Sequence, residues 1–575
     1  MPARHCTERW LPLADNTHED RQASQSKYDP PYYEYSSLQR PPTPPTPGSL
    51  STSFPGKGKR KKILLFTLAA AGIVLVLTLL IGPYLSHLFS PHPSTVARKP
   101  PTDASFQKAS CPFKLGDGIR EGKTVTCGYL IVPENRSKPK GAKVRLAVAI
   151  FKAQNSQKDD HPVIRLEGGP GGPSLDNWAH YITLSQYSSF VFHHDLIMFD
   201  QRGTGYSTPS LKCPELQQLQ FATLDKFLSP DASKHLTLQA VSACRDRLLH
   251  SGVDLNSFNV LENAADVRDL ILALGYQQAN LYGVSYGTRL ALTVMRLFPT
   301  VLRSVVLDST YPPQKNRDSL PAGGQRAFNV LFQGCADDSY CNKHYPQLDN
   351  VFYQLVTDLN ANPAHFQTVD YQSGKSYNVV MAGDDFVFLL FSALYVTQYI
   401  PDLPRMIFEV RDHDYTTLAQ MFGNLEFDDT FSDGMFYSDE CSEDWDFLGQ
   451  KDISQAMQGI RPQIQRSFQN DLQQEYETCR LWNVQPVPKA QKLAVVSDIP
   501  TLIIADEYDP ITPPENGRLV AQTLKNSYYF SLSGLGHGAQ YNSSCADGII
   551  SAFEDKPTQM PTYACVSSMR EPAFV

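Results

Sequence analysis

Hydrophobic and polar positions alternate in two segments near the start of the globular part of the chain. Residues 125–132 and 143–152 tend to place an apolar side chain at every second position, which is the period of a strand with one buried face. Residues 261–274 instead carry apolar side chains at helical spacing and end at Gly275, a residue type that commonly terminates a helix. The change of period predicts strands and helices within one domain.

Further along the chain, apolar runs predict that strands and helices alternate. Strands are predicted at residues 162–166, 195–199, 280–282, 304–307, 499–506 and 527–532, and a helix at 288–297. Such alternation is typical of a mostly parallel α/β sheet covered by helices. Between residues 311 and 482 the alternation is lost, and aromatic residues, aspartates and helical patterns dominate. We therefore predict a core in two parts, 111–310 and 483–575, interrupted by a helical lid at 311–482.

The first 110 residues differ from the rest of the chain. Residues 1–62 are polar and rich in proline, which predicts a disordered tail. Residues 63–82 form an uncharged apolar run of the length that a membrane-spanning helix requires. A cluster of lysine and arginine ends directly before this run, which keeps the N-terminal side cytoplasmic. We predict a single-pass type II membrane protein of the secretory pathway, vacuole or cell surface, with a stalk at 83–110 and a lumenal or extracellular catalytic part.

The tail also contains a candidate partner-binding motif. Pro30, Pro31 and Tyr33 fit the P-P-x-Y pattern that WW domains bind. The alternative interpretation is a solvated tail in which the prolines match the pattern by chance.

Composition and cysteine content indicate a globular protein in an oxidising compartment. Hydrophobic residues make up 42% of the 575 residues, and the net charge of −8 gives no indication of nucleic-acid binding. Of 11 cysteines, Cys6 alone precedes the apolar run, and the even number beyond it predicts disulfides. Proximity in sequence favours the pairs Cys335 with Cys341, Cys545 with Cys565 and Cys441 with Cys479. Asn135 and Asn542 begin Asn-x-Ser sequons and are candidate glycosylation sites.

Residues 283–287 have the sequence Gly-Val-Ser-Tyr-Gly and lie between a predicted strand and a predicted helix. A serine on such a turn is held in a strained conformation with its hydroxyl exposed. Gly283 and Gly287 are needed because a Cβ atom there would collide with the neighbouring backbone. The five-residue pattern also occurs by chance in long chains, but its place between strand and helix favours Ser285 as a nucleophile.

A second glycine-rich turn, residues 167–172, directly follows the predicted strand at 162–166. It fits a phosphate cradle, an oxyanion hole or a plain tight loop. The Lys-Ser/Thr pair of a phosphate loop is missing, so the oxyanion hole is the favoured interpretation. Its donors would be the N–H of Tyr286 and one N–H from Gly168 or Gly169, of which we favour Gly169.

Residues 200–207 form a further turn after a strand. Asp200 and Arg202 have the chemistry to brace the glycine-rich loop. We interpret the two as a structural ion pair rather than as catalytic groups.

Ser285, Asp509 and His537 follow one another in the order nucleophile, acid and base, each in a loop after a predicted strand. The serine hydroxyl needs a neutral imidazole to take its proton, and the imidazole needs a carboxylate to fix its tautomer. Asp506 and Glu507 compete with Asp509 for the role of the acid. Asp509 is preferred because it lies in the turn, whereas Asp506 still ends the strand.

Five motifs occur in this chain in a defined order: Gly-Gly-Pro-Gly at 168–171, Asp-Gln-Arg-Gly-Thr-Gly at 200–205, the serine motif, Tyr-Asp-Pro-Ile-Thr-Pro at 508–513 and Gly-His-Gly at 536–538. Together they resemble the prolyl and tripeptidyl aminopeptidases within the α/β-hydrolases, and the C-terminal part is more similar to the tripeptidyl type. The resemblance spans about residues 110–570. It implies an α/β-hydrolase fold and cleavage of short peptides from a free N-terminus.

An enzyme that binds a free N-terminus must neutralise the buried ammonium group of its substrate. The resemblance points to an acid shortly after Cys441, so Glu443 is the first candidate and Asp444 the second. A solvated acidic loop is the alternative. Glu167 stands where many relatives have histidine or asparagine, and it either tunes the oxyanion loop or helps to bind an amine.

Two other classes of function remain open. The same triad and oxyanion hole would serve an esterase or another small-molecule hydrolase, because the fold does not determine the substrate. A non-catalytic binding ectodomain is the third possibility, against which the complete triad argues. The sequence shows no metal-binding cluster and no nucleotide motif in its proper context, so we predict no cofactor and no metal.

Overall fold

The computed structural model describes residues 104–155, 159–179, 182–183, 193–540 and 542–575. The predicted tail, the predicted membrane-spanning helix at 63–82, the WW-binding motif and most of the stalk lie outside these residues. Among the described residues, no helix is long and apolar enough to cross a bilayer.

Among the described residues, nine strands form one sheet and two more form a separate hairpin. In chain order the strands are β1 (Ser105–Lys108), β2 (Val125–Pro133), β3 (Lys143–Phe151), β4 (Val163–Leu166), β5 (Leu196–Phe199), β6 (Ala279–Val284), β7 (Leu302–Asp308), β8 (Ala364–Asp370), β9 (Lys375–Met381), β10 (Thr501–Asp506) and β11 (Ser527–Leu532). The order in the large sheet is β1-β2-β3-β5-β4-β6-β7-β10-β11. Strands β1, β2, β3 and β5 pair antiparallel, and all pairs from β5 to β11 are parallel. The predicted, mostly parallel sheet is confirmed.

The first strand corrects the predicted start of the folded part. Strand β1 lies inside the segment predicted as stalk, and Ser105 is paired with Ile131 of β2. Four residues are too short to show the alternation from which the other strands were predicted. The disulfide between Cys111 and Cys127 joins the segment that follows β1 to β2.

Fifteen α-helices occur in the described part of the chain. They are α1 (Pro214–Thr223), α2 (Pro230–His250), α3 (Val260–Ala273), α4 (Tyr286–Leu297), α5 (Leu320–Asp337), α6 (Ser339–His344), α7 (Leu348–Ala361), α8 (Gly383–Ala393), α9 (Leu403–Arg411), α10 (Thr416–Leu425), α11 (Asp433–Glu443), α12 (Gln450–Ala456), α13 (Pro462–Trp482), α14 (Pro514–Ala521) and α15 (Ser544–Asp555). Apolar side chains of α3 and α4 are buried with one face of the sheet, and those of α15 with the other. The sheet is therefore covered on both faces, as a parallel sheet requires.

The lid has an apolar core of its own, built mainly from α5 to α10, α13 and the β8–β9 hairpin. The hairpin was not predicted, because its two strands lie among helical patterns. The lid also has a second component that the sequence analysis missed. Helix α2 packs against α13, the N–H of Val380 donates to the carbonyl of Leu224 at 2.8 Å, and the ring of Phe221 stacks on Tyr377 at 5.1 Å.

Five disulfides use all ten cysteines beyond Cys6. They are Cys111–Cys127, Cys213–Cys244, Cys335–Cys341, Cys441–Cys479 and Cys545–Cys565. The three pairs expected from the sequence are among them. The Cys441–Cys479 bond joins α11 to α13.

Candidate active site

Ser285 lies in the sharp turn between β6 and α4. Its backbone has φ 56° and ψ −125°, a conformation that residues with a side chain rarely adopt. A Cβ on Gly283 would come within 2.5 Å of the carbonyl oxygen of Gly287. A Cβ on Gly287 would come within 2.0 Å of the carbonyl oxygen of Leu166. Both glycines are therefore required by space, as the sequence predicts.

Asp509 and His537 meet at the carboxyl ends of β10 and β11. The Nδ1 atom of His537 lies 2.8 Å from Oδ2 of Asp509, and both side chains are buried. The carboxylate also accepts hydrogen bonds from the N–H groups of Ile511 and Thr512 and from the hydroxyl of Thr512. Burial alone would raise the pKa of Asp509, but His537 and Thr512 outweigh it and hold this pKa below its usual value. A carboxylate on Nδ1 leaves Nε2 as the acceptor nitrogen of a neutral imidazole.

The two acids that competed with Asp509 have other partners. Asp506 accepts a hydrogen bond from the hydroxyl of Ser309 at 3.0 Å. Glu507 accepts one from the N–H of Gly534 at 3.2 Å. Of these three acids, Asp509 is therefore the one for which the structure gives a hydrogen bond to His537.

The end of β7 anchors the loop that carries the histidine. The carboxylate of Asp308 accepts hydrogen bonds from the N–H groups of Ala539 and Gln540 at 3.0 and 3.2 Å. The hydroxyl of Ser309 accepts one from Gly538 at 2.9 Å. The carbonyl of Asp308 also accepts the N–H of Ser285. The sequence analysis missed Asp308, although its position directly after a predicted strand was a usable signal.

The glycine-rich loop lies against the serine. A Cβ on Gly168 would come within 2.9 Å of Cβ and 3.4 Å of Oγ of Ser285. Gly169 has φ +114°, which favours glycine strongly. Tyr286 is the first residue of α4, so its N–H has no acceptor within the helix. Gly168 therefore lies next to the nucleophile, and the roles of Gly168, Gly169 and Tyr286 as oxyanion donors stay a prediction.

Asp200 braces the segment that follows this loop. Its carboxylate accepts hydrogen bonds from the N–H groups of Leu175 and Tyr206, at 2.9 and 2.7 Å. Burial raises the pKa of Asp200 to about 7, against the lowering effect of these two bonds. The neighbouring Gln201 donates its side-chain amide to the carbonyl of Glu167.

The predicted ion pair between Asp200 and Arg202 is wrong. Arg202 is fully buried and makes a two-pronged contact with the carboxylate of Asp266 in α3, at 2.7 and 2.8 Å. It also donates to the carbonyl oxygens of Glu134 and Ser257. In this turn the two side chains point to different partners, which spacing in the sequence cannot show.

Glu167 is engaged by a buried arginine. Arg165 donates to its carboxylate at 3.0 Å and to the side chain of Gln540 at 2.9 Å. The guanidinium lies over the ring of Trp178, 4.2 Å from its centroid. The arrangement links the oxyanion loop to the histidine loop and favours the first of the two roles considered for Glu167.

Glu443 and Asp444 are both bound to Arg289 of α4. The guanidinium contacts Glu443 at 3.1 Å and Asp444 at 2.7 Å. Asp444 also receives hydrogen bonds from Lys492 at 2.8 Å and from the hydroxyl of Tyr311 at 2.5 Å. Burial opposes ionisation of Asp444, but Arg289 and Lys492 outweigh it and hold its pKa far below the usual value. Asp444 is thus already neutralised by protein groups.

Two neighbouring acids, which the sequence analysis did not choose, are less well compensated. Asp439 accepts the hydroxyl of Tyr286 on one oxygen at 2.9 Å, and its other oxygen is buried without a hydrogen-bond partner. One carboxylate oxygen of Glu440 is also buried without a partner. Burial and neighbouring acids raise the pKa of both groups well above the usual value. Nothing in the sequence separates these acids from Glu443 and Asp444, because all four lie within six residues.

We call the buried ionic group around these residues the acidic cluster. Its carboxylates are Asp439, Glu440, Glu443, Asp444 and Glu475, and its cations are Arg289, Arg317 and Lys492. With all of its groups ionised, the acidic cluster would carry two more negative than positive charges, an excess that a bound cation or protons would offset.

The two sequons differ in their surroundings. Asn135 lies in the turn between β2 and β3 and donates its side-chain amide to Asp254 at 3.2 Å. Asn542 donates its amide to the carbonyl of Gly538, next to the histidine, and accepts a hydrogen bond from Gln398 of the lid. Glycosylation at either position stays a prediction, and at Asn542 the side chain also supports the histidine loop.

One group of potential metal ligands occurs among the described residues, at Cys213, Glu215 and Cys244. The two sulfurs are joined in a disulfide, and Glu215 is paired with Arg247 at 2.6 Å. The group therefore offers no thiolate to a metal ion.

A sheet with this order, carrying a serine turn, an acid and a histidine at the carboxyl ends of its strands, defines an α/β-hydrolase. The chain belongs to this family, since residues 161–544 match the family model described as the alpha/beta hydrolase fold.

Named relatives include peptidases and an esterase. A tripeptidyl aminopeptidase of Streptomyces coelicolor is 31% identical over 222 residues, which are 37% of this chain and 39% of that protein. Serine protease Hip1 of Mycobacterium tuberculosis is 25% identical over 470 residues, 76% of this chain and 86% of the relative. A carboxylesterase B of Mycobacterium tuberculosis is 26% identical over 482 residues, 79% and 88% of the two chains. The family and its hydrolase scaffold are thus established, and the substrate is not.

Proposed function

We propose that this protein is a serine hydrolase in which Ser285 is the nucleophile, His537 the general base and Asp509 the acid that orients the base. The observation that carries the proposal is the buried contact between His537 Nδ1 and Asp509 Oδ2, at 2.8 Å, in loops next to the strained serine turn. A buried carboxylate at that nitrogen holds the ring in one tautomer and stabilises its protonated form, as a general base on a serine requires.

The reaction follows from this arrangement. The hydroxyl of Ser285 attacks the substrate carbonyl while Nε2 of His537 takes its proton. The N–H groups of Tyr286 and Gly169 stabilise the oxyanion, and loss of such a donor typically costs about 3 kcal/mol. The protonated histidine then gives its proton to the leaving amine or alcohol. Water then attacks the acyl carbonyl while Nε2 of His537 takes one of its protons, and the protonated histidine returns that proton to Oγ of Ser285 as the carboxylic acid product leaves.

The substrate that we favour is a short peptide with a free N-terminus. The support is the excess negative charge of the acidic cluster, which a substrate ammonium group would offset. Asp444 is already held by Arg289 and Lys492, so among the acids we now assign the ammonium contact to Glu440, with Glu443 contributing. The names of the tripeptidyl aminopeptidase and Hip1 agree with a peptide substrate.

An esterase is the second candidate. The relative named carboxylesterase B covers as much of this chain as Hip1 does. The triad and the oxyanion hole act on esters as well as on amides.

We further propose that the protein is anchored by residues 63–82 with its catalytic part in an oxidising compartment. Five disulfides, which pair all ten cysteines of the described residues, support this location. A WW-domain partner for residues 30–33 remains part of the proposal.

The test uses the full-length chain and its Ser285→Ala variant. Both are given peptides with free or acetylated N-termini and a short-chain ester, and products are identified by mass spectrometry. We expect the unmodified chain to cleave only the peptides with a free N-terminus and Ser285→Ala to cleave none. The mass of the released fragment gives the number of residues removed. Serine-dependent hydrolysis of the ester without peptide cleavage would establish the esterase instead. Turnover that persists in Ser285→Ala would refute the assignment of the nucleophile.

A further inference from the structure

The lid is in direct contact with the loop that carries the histidine. The N–H of His537 donates to the carbonyl of Tyr395, two residues after the end of α8, at 2.9 Å. The N–H of Gly536 donates to the hydroxyl of Thr397 at 3.0 Å. The side chain of Gln398 donates to Asn542, a few residues further along the histidine loop, at 3.0 Å. Three residues of the four-residue lid segment 395–398 thus each make one hydrogen bond to this loop.

The contact includes the imidazole ring itself. The rings of Tyr395 and His537 lie 4.8 Å apart between centroids with an interplanar angle of 51°, and both residues are buried. Aromatic rings at this distance attract one another, and the negative face of a phenol ring stabilises a neighbouring cation. The imidazole becomes a cation when it takes the proton of the nucleophile. A ring in this place both limits the orientation of the base and favours its protonated form.

Little space separates the two segments. A Cβ on Gly536 would come within 2.5 Å of the carbonyl oxygen of Leu394 and 2.6 Å of that of Tyr395. Tyr395 is in turn held by the lid core, because its ring contacts Phe391 at 5.8 Å and Phe391 contacts Phe468 of α13 at 5.5 Å. A displacement of the lid core would therefore move the wall against which His537 packs.

We propose that Tyr395 is a positioning residue for His537, so that the lid completes the base of the catalytic machinery in addition to covering the site. The inference rests on the proposed function, in which His537 is the general base. Tyr395 does not touch the reacting atoms and acts through the imidazole. Its effect therefore falls on kcat, for peptide and ester substrates alike, rather than on KM.

The test compares three variants of the full-length chain. Tyr395→Leu removes the ring and keeps the backbone carbonyl. Tyr395→Phe keeps the ring. Phe386→Leu removes an aromatic ring from α8 that is buried in the lid core against Phe352, so it controls for a lid that is merely loosened.

We expect Tyr395→Leu to lower kcat about tenfold to a hundredfold with KM changed less than threefold, and Tyr395→Phe to recover most of kcat. The acid limb of the kcat/KM profile should move to lower pH by about half a unit in Tyr395→Leu, because the protonated imidazole loses a stabilising neighbour. Equal losses in Tyr395→Leu and Phe386→Leu with an unmoved acid limb would overturn the proposal and leave a purely structural role.

A second readout keeps this inference separate from the proposed function. The imidazole resonance of His537, identified by its loss in His537→Gln, is titrated by NMR without substrate. A lower titration midpoint in Tyr395→Leu than in the unmodified chain supports the contact even if no substrate is turned over. An unchanged midpoint refutes it, whether or not the enzyme is active.

Discussion

Two groups of buried polar side chains contact the serine turn, and they differ in how their carboxylates are satisfied. The first group contains Asp308, Asp509 and His537 and contacts the turn through Asp308, and the second is the acidic cluster, which contacts it through Tyr286. In the first, the carboxylates of Asp308 and Asp509 accept several hydrogen bonds each, from backbone N–H groups and hydroxyls as well as from His537. In the second, the acidic cluster, the hydroxyl of Tyr286 contacts Asp439, and carboxylates outnumber cations.

The difference distinguishes a site whose polar groups are satisfied by other groups of the protein from a site that needs a bound cation or a proton. Burial alone would raise the pKa of Asp509, but the contact with His537 and the hydrogen bonds from Thr512 hold it below its usual value, whereas burial raises the pKa of Asp308 in spite of its hydrogen bonds. Burial next to other carboxylates raises the pKa of Glu440 well above its usual value. We infer that the first group serves the chemistry and that the second accepts a cation or a proton.

Replacing the acid of the first group should have the largest effect. Asp509→Asn leaves the shape of the site intact but removes the carboxylate that fixes the tautomer of His537, and kcat should fall about 10⁴-fold. Steady-state kinetics on a peptide and an ester measure the change. Glu507→Gln, two residues earlier in the same turn, is the matched control and should keep kcat within about threefold. A loss below tenfold in Asp509→Asn would contradict the assignment of the acid.

Removing the central cation of the second group should mainly affect stability. Arg289→Met leaves Glu443 and Asp444 buried without their shared partner, and breaking a buried pair in this way typically costs about 3–5 kcal/mol. Denaturant unfolding monitored by circular dichroism measures the change. Lys525→Met, which removes an exposed pair with Asp498, should cost below about 1 kcal/mol. Similar losses in the two variants would show that the acidic cluster does not depend on Arg289.

The sequence predicts the first group far better than the second. Ser285, Asp509 and His537 each follow a strand, and the carboxyl ends of parallel strands meet at one edge of a sheet. Position along the chain therefore implies position in space. The glycines around the serine add a second constraint, because contact with the backbone excludes any side chain at Gly283 and Gly287.

The second group depends on how the lid folds against the core, which no local pattern records. The acids at 439–444 follow one another in sequence, and only the packing of α11 against α4 decides which of them meets Arg289. The same reason explains why the partner of Arg202 was predicted wrongly and why α1 and α2 were not recognised as part of the lid. The partners of Arg289, the partner of Arg202 and the position of α1 and α2 all depend on contacts between elements that are distant in sequence.

Replacing Glu440 should affect substrate binding without affecting the catalytic step. If the substrate ammonium lies next to this acid, Glu440→Gln should raise KM for peptides with a free N-terminus about tenfold and leave hydrolysis of a short-chain ester within twofold. A charge-assisted contact of this kind is worth about 1.5–3 kcal/mol, which agrees with that factor. Kinetics on paired free and acetylated peptides measure it. An equal rise for the acetylated peptide or the ester would place the ammonium elsewhere.

The smallest expected effect is a pH dependence of stability. Burial and the neighbouring Asp444 raise the pKa of Glu440, against the lowering effect of Arg317 and Arg289, so the folded protein keeps this proton to higher pH than the unfolded chain. The contribution of Glu440 to stability is therefore present below about pH 4.5 and lost as the pH rises through the raised value. Glu440→Gln carries no charge and avoids this loss.

The thermal midpoint of Glu440→Gln, relative to the unmodified chain, should accordingly be a few degrees higher at about pH 8 than at about pH 5. The contribution of Asp509 to the free energy of unfolding depends on pH in the opposite direction. Because the pKa of Asp509 is lowered in the folded protein, this contribution is lost only as the pH falls below about 4. The stability deficit of Asp509→Asn relative to the unmodified chain should thus not grow as the pH rises from 5 to 8, and the lost contact with protonated His537 makes this deficit larger at the acid end. A difference that grows with pH in Asp509→Asn, or stays constant in Glu440→Gln, would mean that the two groups do not differ in the way their hydrogen bonds indicate.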